Sequence, residues 1–347
     1  MKYNSTLIEA DHDTPGELAL AKDCNGHGAG TWGALKTVAK ITGVALGAMA
    51  ATNAIISLRT PPLDNELGGT FNRYPTRHGD LAYTVSGTGS PVLLLHGLGA
   101  GNSMMEWEHN FRALAQQHTV YALDFIGWGL SDKPDEPCWA EEFIEQVQYF
   151  VEDIIAEPCA VIASSQSCAF AVEAARRAPK LIQKLILVCP AEQASAGKAM
   201  AFEWPQEMIY RLLRWPVVGA AFYNFIASRQ NIQRFACHQL YFDKSRVDES
   251  LVRRYHVAAH QNGSKYGLSW LLGGLLDIDW RESWSRLEIP ALLVWGRNAM
   301  LNGLDTAPEW LALKPDARLS IIDEAMLLPH VEHPQQFNEL VLKCLAE

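Results

Sequence analysis

Residues 160–167 read AVIASSQS, an apolar run that passes directly into a stretch of helical pattern at Cys168–Arg177. The run over Ala160–Ser164 lacks alternating polar residues, which is typical of a strand buried on both faces of a parallel sheet. In open parallel sheets, ligands bind beyond the carboxyl ends of the strands. The residues directly after this strand, Ser165 first among them, are therefore candidates for a functional site.

Similar apolar runs recur on both sides of this segment, and helical stretches such as Glu141–Ala156 separate them. This alternation predicts an α/β fold, with a mostly parallel, doubly wound sheet and right-handed crossovers. The further predicted strands are Tyr83–Ser86, Pro91–Leu95, Thr119–Asp124, Lys184–Cys189, Ala291–Trp295 and Arg318–Ile322.

Three strand ends carry motifs in a fixed order. HGLGAG follows one strand at 96–101, DFIGWGLSDKP follows the next at 124–134, and ASSQS stands at 163–167. Together they resemble the α/β-hydrolase superfamily, in the branch of esterases, lipases, epoxide hydrolases and haloalkane dehalogenases. The resemblance covers about residues 70–347.

The resemblance implies a serine nucleophile on a strained strand–turn–helix elbow, which requires small residues two positions to either side. Ser165 takes the nucleophile position, with Ala163 and Ser167 at the small positions. The backbone N–H groups of Leu98 and Gln166 would form the oxyanion hole.

The two partners that the resemblance leads us to expect are missing. The acid of the family follows the Gly of a W-G-x-x-D pattern, and in WGRNA at 295–299 that position is Ala299. The family's histidine maps to Leu327 within DEAMLLPHVEHP at 323–334. A serine hydroxyl is a weak nucleophile without a neighbouring base, so these residues predict severe loss of the usual mechanism. His330 is the candidate substitute base, and Glu192 in CPAEQ at 189–193 is the candidate substitute acid.

Residues 191–285 have a mainly helical pattern and stand where the family inserts its cap or lid, after the sixth strand. The segment carries fifteen aromatic residues, which suit a roof over a hydrophobic ligand. It divides the predicted hydrolase core into residues 70–190 and 286–347.

The N-terminal part is predicted to hold a flexible segment at 1–35, a membrane-anchor helix at 36–59 and a linker at 60–69. The run ITGVALGAMAATNAIISL at 41–58 is free of charge, and its length is near that of a spanning helix. We therefore expect membrane association through one N-terminal helix, with a soluble cytoplasmic protein as the alternative.

Composition narrows the function classes further. The net charge of −10 and the scattered basic residues argue against nucleic-acid binding. Seven scattered cysteines form no metal or disulfide pattern, and His256 and His260 lack a third ligand, so neither a metal nor a cofactor is expected.

Two functions remain open. One is a serine ester hydrolase or acyltransferase for a hydrophobic, lipid-like substrate, with Ser165 as nucleophile and an unusual base. The other is a non-catalytic pseudo-hydrolase that binds an apolar ligand or scaffolds a membrane complex. Non-hydrolytic chemistry in the same pocket is a third, weaker hypothesis because it too normally requires the base.

Overall fold

The structure, a computed structural model, describes residues 28–191 and 205–347. The chain divides into one unit up to Gly47 and a second from Ala48 to Glu347. In the first unit the described residues belong to helix α1, Gly28–Arg59, which continues into the second.

The second unit is built on an eight-stranded sheet whose order is β1-β2-β4-β3-β5-β6-β7-β8. The pairs β1–β2 and β2–β4 are antiparallel, and all other neighbours are parallel. The strands are β1 Thr70–Thr76, β2 Gly79–Ser86, β3 Pro91–Leu95, β4 Thr119–Leu123, β5 Cys159–Ser164, β6 Ile182–Val188, β7 Ala291–Gly296 and β8 Arg318–Ile322. This arrangement confirms the predicted α/β-hydrolase fold.

Strand β1 is the one that the apolar runs did not reveal. Its sequence TFNRYPT is polar, and its residues are exposed or half-buried in alternation because it lies at the edge of the sheet. Pro75 is tolerated there, since an edge strand does not need every N–H for pairing. By contrast, every residue of β3, β5 and β7 is buried, which explains why those strands read as continuous apolar runs.

Helices cover the sheet and form the cap. After α1, they are α2 Phe111–Leu114, α3 Ala140–Tyr149, α4 Ser167–Arg177, α5 Gln206–Arg214, α6 Val218–Ile226, α7 Arg229–Phe235, α8 Glu249–Ala259, α9 Ser264–Leu272, α10 Arg281–Arg286, α11 Ala307–Leu313, α12 Pro329–Glu332 and α13 Pro334–Ala346. Helices α5 to α9 lie between β6 and β7 in the chain, within the segment predicted as the cap. Residues 192–204 of that segment lie outside the described part.

The end of α1 contacts the cap. Asn53 Nδ2 donates to the carbonyl of Val217 at 2.9 Å, and Asn53 Oδ1 accepts from Asn224 Nδ2 at 2.8 Å. Among the residues that the structure describes, no helix is long and apolar enough to cross a membrane. The predicted spanning helix at 36–59 therefore finds no support there.

Candidate active site

Ser165 occupies the sharp turn between β5 and α4. Its φ of +55° lies in the left-handed region, which is strained for a residue with a side chain. Its N–H donates to the carbonyl of Val188 at 2.9 Å on the neighbouring strand, which fixes the turn. The flanking Ala163 and Ser167 are fully buried, and Ser167 Oγ donates to the carbonyl of His96. The elbow predicted from ASSQS therefore forms with these small residues.

Two free donors flank Ser165. Leu98 and Gln166 line the same cavity as the serine, and within the described residues neither backbone N–H donates a hydrogen bond. The Gln166 side chain is held away from the cavity by a 2.8 Å hydrogen bond from Nε2 to the carbonyl of Leu276. The two N–H groups are thus available to a carbonyl or oxyanion at Ser165.

His96 holds the turn at Gly97 by hydrogen bonds. Its Nε2 accepts a hydrogen bond from the N–H of Phe125 at 3.2 Å, so Nδ1 carries the proton and donates to the Gly97 carbonyl at 2.7 Å. Both ring nitrogens are occupied, which makes His96 a structural residue of the HG turn.

Hydrocarbon fills the positions of the expected acid and base. Leu327 is buried and lines the cavity beside Ser165, and Ala299 is also buried. Their two loops are joined by a 2.9 Å hydrogen bond from the Asn298 N–H to the Ala325 carbonyl. The structure thus brings both positions into one region of the site, but neither side chain can accept a proton.

Asn302 contacts the nucleophile instead, and no motif in the sequence pointed to it. Its Nδ2 donates to Ser165 Oγ at 3.0 Å and to the Cys189 carbonyl at 3.1 Å. Its backbone has a φ of +54°, a conformation that asparagine tolerates better than most residues. An amide cannot serve as a base, so this contact positions Ser165 and leaves the hydroxyl proton free to be donated elsewhere.

His330 does not donate to or accept from Ser165. Its ring is fully buried and packs on Trp107 with ring centroids 4.4 Å apart. Its Nε2 lies 3.2 Å from Glu106 Oε1. Helix α12 begins at Pro329 and directs this side chain toward the Trp107 region, away from the position that Leu327 occupies. Glu192, the candidate acid, lies outside the described residues.

Glu106 is the second residue that sequence reasoning missed, although a carboxylate within MMEW at 104–107 was a visible signal. Its Oε2 accepts from the Gly97 N–H at 3.0 Å and from Asn102 Nδ2 at 3.1 Å. Burial by itself would raise the pKa of this carboxyl group, but the neighbouring His330 outweighs burial and holds the pKa below its usual value. Glu106 is therefore a buried carboxyl group in the wall of the cavity, held by two donors and with His330 beside it.

The cavity above Ser165 has a volume of about 470 Å³. Cap residues form most of its wall, among them Phe225, Ile232, Leu268 and Leu272. A second cavity of about 460 Å³ shares the wall residues Asn102, Glu106 and Tyr255 with the first. The wall is mostly apolar but also includes the cap residues Arg234 and His238, so the pocket suits a ligand of modest size that is largely apolar and carries a polar group.

His256 and His260 stack with ring centroids 4.0 Å apart. Burial lowers the pKa of His256 to about 4, as does the neighbouring His260. In the described ranges, no group of three or more His, Cys, Asp or Glu side chains could hold a metal ion.

Comparison with known proteins agrees with the fold. The family model described as alpha/beta hydrolase fold matches residues 90–334. A pimeloyl-[acyl-carrier protein] methyl ester esterase from Aeromonas hydrophila is 29% identical over 263 residues, which are 74% of this chain and 95% of the relative. A 2-hydroxy-6-oxo-6-(2'-aminophenyl)hexa-2,4-dienoic acid hydrolase from Metapseudomonas resinovorans is 24% identical over 272 residues, covering 76% and 87%. Among solved structures, a hydrolase from Pseudomonas aeruginosa PA01 aligns with a TM-score of 0.66 at 22% identity, over 81% of this chain and all of that one.

Proposed function

Because this chain belongs to the alpha/beta hydrolase fold family, we propose that it is a serine hydrolase or acyltransferase that acts on a hydrophobic ester. The observation that carries the proposal is the Ser165 elbow: a strained serine lines the same cavity as Leu98 and Gln166, whose N–H groups donate no hydrogen bond in the described part of the chain. The relatives named as esterases and hydrolases support the reaction class.

The chemistry follows from these groups. Ser165 Oγ bonds to the ester carbonyl carbon, and the two N–H groups stabilise the negative charge that develops on the carbonyl oxygen. The acyl group lies against the apolar cap residues, and the alcohol leaves. Water then releases the acid, or a second alcohol takes the acyl group in a transfer reaction.

The test is turnover of p-nitrophenyl esters from acetate to decanoate by the full chain. We expect hydrolysis that rises with acyl length until the cavity is filled, and that disappears in Ser165→Ala. Ser285→Ala is the matched control, because Ser285 is an exposed serine of helix α10 outside the cavity. Activity that survives in Ser165→Ala would contradict the proposal.

A second candidate is a binding protein without turnover. Leu327 in the place of the histidine favours it, as does Asn302 bonded to Ser165 Oγ, because both fit a site that has lost its base. This function predicts a co-purifying apolar ligand in native mass spectrometry, together with no turnover in the ester series.

We also propose that the protein associates with a membrane surface without crossing it. The end of α1 exposes Ile55 and Leu58, and the cap segment bonded to Asn53 exposes Trp215 and Phe225. Exposed apolar side chains on adjacent elements favour the interface of a bilayer. Flotation of the full chain with phosphatidylcholine and phosphatidylglycerol vesicles tests this.

We expect vesicle binding to weaken in Trp215→Ser and to persist in Trp139→Ser, which removes an exposed tryptophan far from the cap in sequence. Equal binding by both variants would contradict a role for this surface.

A further inference from the structure

Three polar residues in the cavity wall have buried side-chain atoms without hydrogen-bond partners. Within the described residues these atoms are Glu106 Oε1, Ser164 Oγ and Asn302 Oδ1. Buried polar atoms are almost always paired, so such atoms call for a partner from the cavity or for a chemical role. Glu106 differs from the other two because it is a carboxylate and can take up a proton.

Gly97 shows how close Glu106 lies to the nucleophile. A Cβ atom at Gly97 would be 3.4 Å from Glu106 Oε2 and 3.5 Å from both Ser164 Oγ and Ser165 Cβ. Glu106 Oε2 is therefore no more than about 7 Å from Ser165 Cβ. One small group, a water molecule or the leaving oxygen of an ester, bridges two oxygen atoms up to about 5.5 Å apart by hydrogen bonds, a separation that this upper bound allows.

The two carboxylate oxygens of Glu106 differ in their hydrogen bonds. Oε2 is held by the Gly97 N–H and by Asn102 Nδ2. Oε1 has His330 Nε2 beside it at 3.2 Å, but the two atoms are not aligned as a hydrogen bond. Within the described residues, Oε1 thus makes no aligned hydrogen bond, and His330 is its charged or polar neighbour.

Resting on the function proposed above, we infer that Glu106 is the proton-transfer group of this site and that His330 is its positioning residue. Glu106 does the work that Ala299 and Leu327 cannot do. His330 does not line the cavity itself; its ring packs on Trp107, its Nε2 contacts Glu106 Oε1, and it sets the charge and orientation of the carboxylate.

The proton balance is complete with Glu106 alone. As Ser165 Oγ bonds to the carbonyl carbon, its proton passes to the Glu106 carboxylate, directly or through one water molecule. When the tetrahedral intermediate collapses, the carbon–oxygen bond to the alcohol breaks and the alkoxide takes the proton from Glu106. In the second half, Glu106 accepts a proton from the attacking water and returns it to Ser165 Oγ as the acyl bond breaks.

His238 is the competing base among the described cavity residues. It belongs to the cap segment after α7, and its side chain is exposed. Glu106 is favoured because the Gly97 loop holds it beside Ser165, whereas no hydrogen bond or ion pair of the described residues holds the His238 ring.

The experiment measures the rate of labelling of the full chain by a fluorophosphonate probe, which reports activation of the serine without a need for the true substrate. We expect Glu106→Gln to slow labelling by about 100-fold or more, the range that a general base supplies. Gln keeps the size of the side chain and its acceptor for the Gly97 N–H. Glu108→Gln is the matched control on the same turn, since Glu108 pairs with Arg254 and does not line the first cavity. It should label within twofold of the wild-type rate.

A rescue separates chemistry from structure. Adding Ala299→Asp and Leu327→His to Glu106→Gln supplies a new base, and we expect labelling to recover at least tenfold. Recovery would show that the Glu106→Gln protein is folded and lacks only a proton acceptor.

Two results would overturn the inference. Unchanged labelling in Glu106→Gln, with labelling lost in Ser165→Ala, would leave the proposed function standing and place the base elsewhere. Loss of labelling in His238→Gln, with Glu106→Gln unaffected, would assign the role to His238. If the wild-type chain is neither labelled nor active, the proposed function itself has failed.

Discussion

Restoring the family's acid and base is the perturbation that tests our interpretation of the site most broadly. Leu327 is 5% exposed and lines the cavity with Ser165, and Ala299 is 9% exposed. The hydrogen bond from Asn298 to Ala325 ties their loops together, so Asp at 299 and His at 327 should meet. The double variant Ala299→Asp, Leu327→His should therefore build a base next to Ser165 Oγ.

The magnitude follows from the groups exchanged. A positioned general base contributes about 10²–10⁴ in rate, which corresponds to about 3–5 kcal/mol of barrier, and because Glu106 is proposed to supply part of this already, we expect a gain of about tenfold over the wild type. Replacing the buried Leu327 with imidazole loses apolar burial and adds two polar atoms, at a cost of about 1–3 kcal/mol when they are poorly paired. We expect faster turnover and a less stable protein.

The assay is kcat/KM for p-nitrophenyl butyrate, with thermal unfolding measured on the same samples. Ala299→Asp alone should give no gain, because an acid without a histidine has nothing to orient. Leu327→His alone should give a partial gain. A folded double variant with the wild-type rate would refute the reasoning that these two positions face Ser165.

Three further predictions concern stability. Burial lowers the pKa of His256 to about 4, so between pH 4 and the ordinary histidine pKa the unfolded chain binds more protons than the folded one. The free energy of unfolding should therefore fall as the pH drops through this window. Denaturant melts at pH 7 and pH 5 should show a smaller decline in His256→Gln than in the wild type. Asn302→Ala removes the hydrogen-bond donor to Ser165 and places alanine, which lacks a polar side chain to stabilise it, at a φ of +54°. We therefore expect the free energy of unfolding in urea to fall by about 1–3 kcal/mol. An unchanged midpoint would contradict this. Gly296→Ala would bring a Cβ atom to 2.0 Å from the Met326 carbonyl oxygen. Calorimetry should therefore show that the free energy of unfolding falls by more than about 3 kcal/mol. A variant as stable as the wild type would show that the backbone around Met326 shifts to make room.

The sequence predicts the fold because its parallel strands are buried on both faces. Runs such as PVLLL and ALLVWG are continuous and apolar, and they match β3 and β7 within one residue. The edge strand β1 escapes this reasoning, since TFNRYPT is half-exposed and has no apolar run.

The site is only partly predictable from the sequence. Ser165, Leu98 and Gln166 follow from motifs, because backbone turns require particular residue types at fixed spacing. Asn302 and Glu106 act through their side chains across 137 and 59 residues of chain from Ser165, and no local pattern encodes such a contact. His330 is a further case in which the sequence did not predict the contact. Its position in the chain made it the candidate substitute base for Ser165, but at the start of α12 its ring contacts Glu106 instead.

The central proposal is that Ser165 is an activated nucleophile although the sequence pattern predicts Leu327 at the position of the family's histidine. The most direct measurement is intact-mass and peptide mapping of the full chain after brief exposure to a fluorophosphonate. Our account predicts a single adduct that maps to Ser165 and is absent from Ser165→Ala. No adduct on folded protein, or one that maps to another residue, would contradict it.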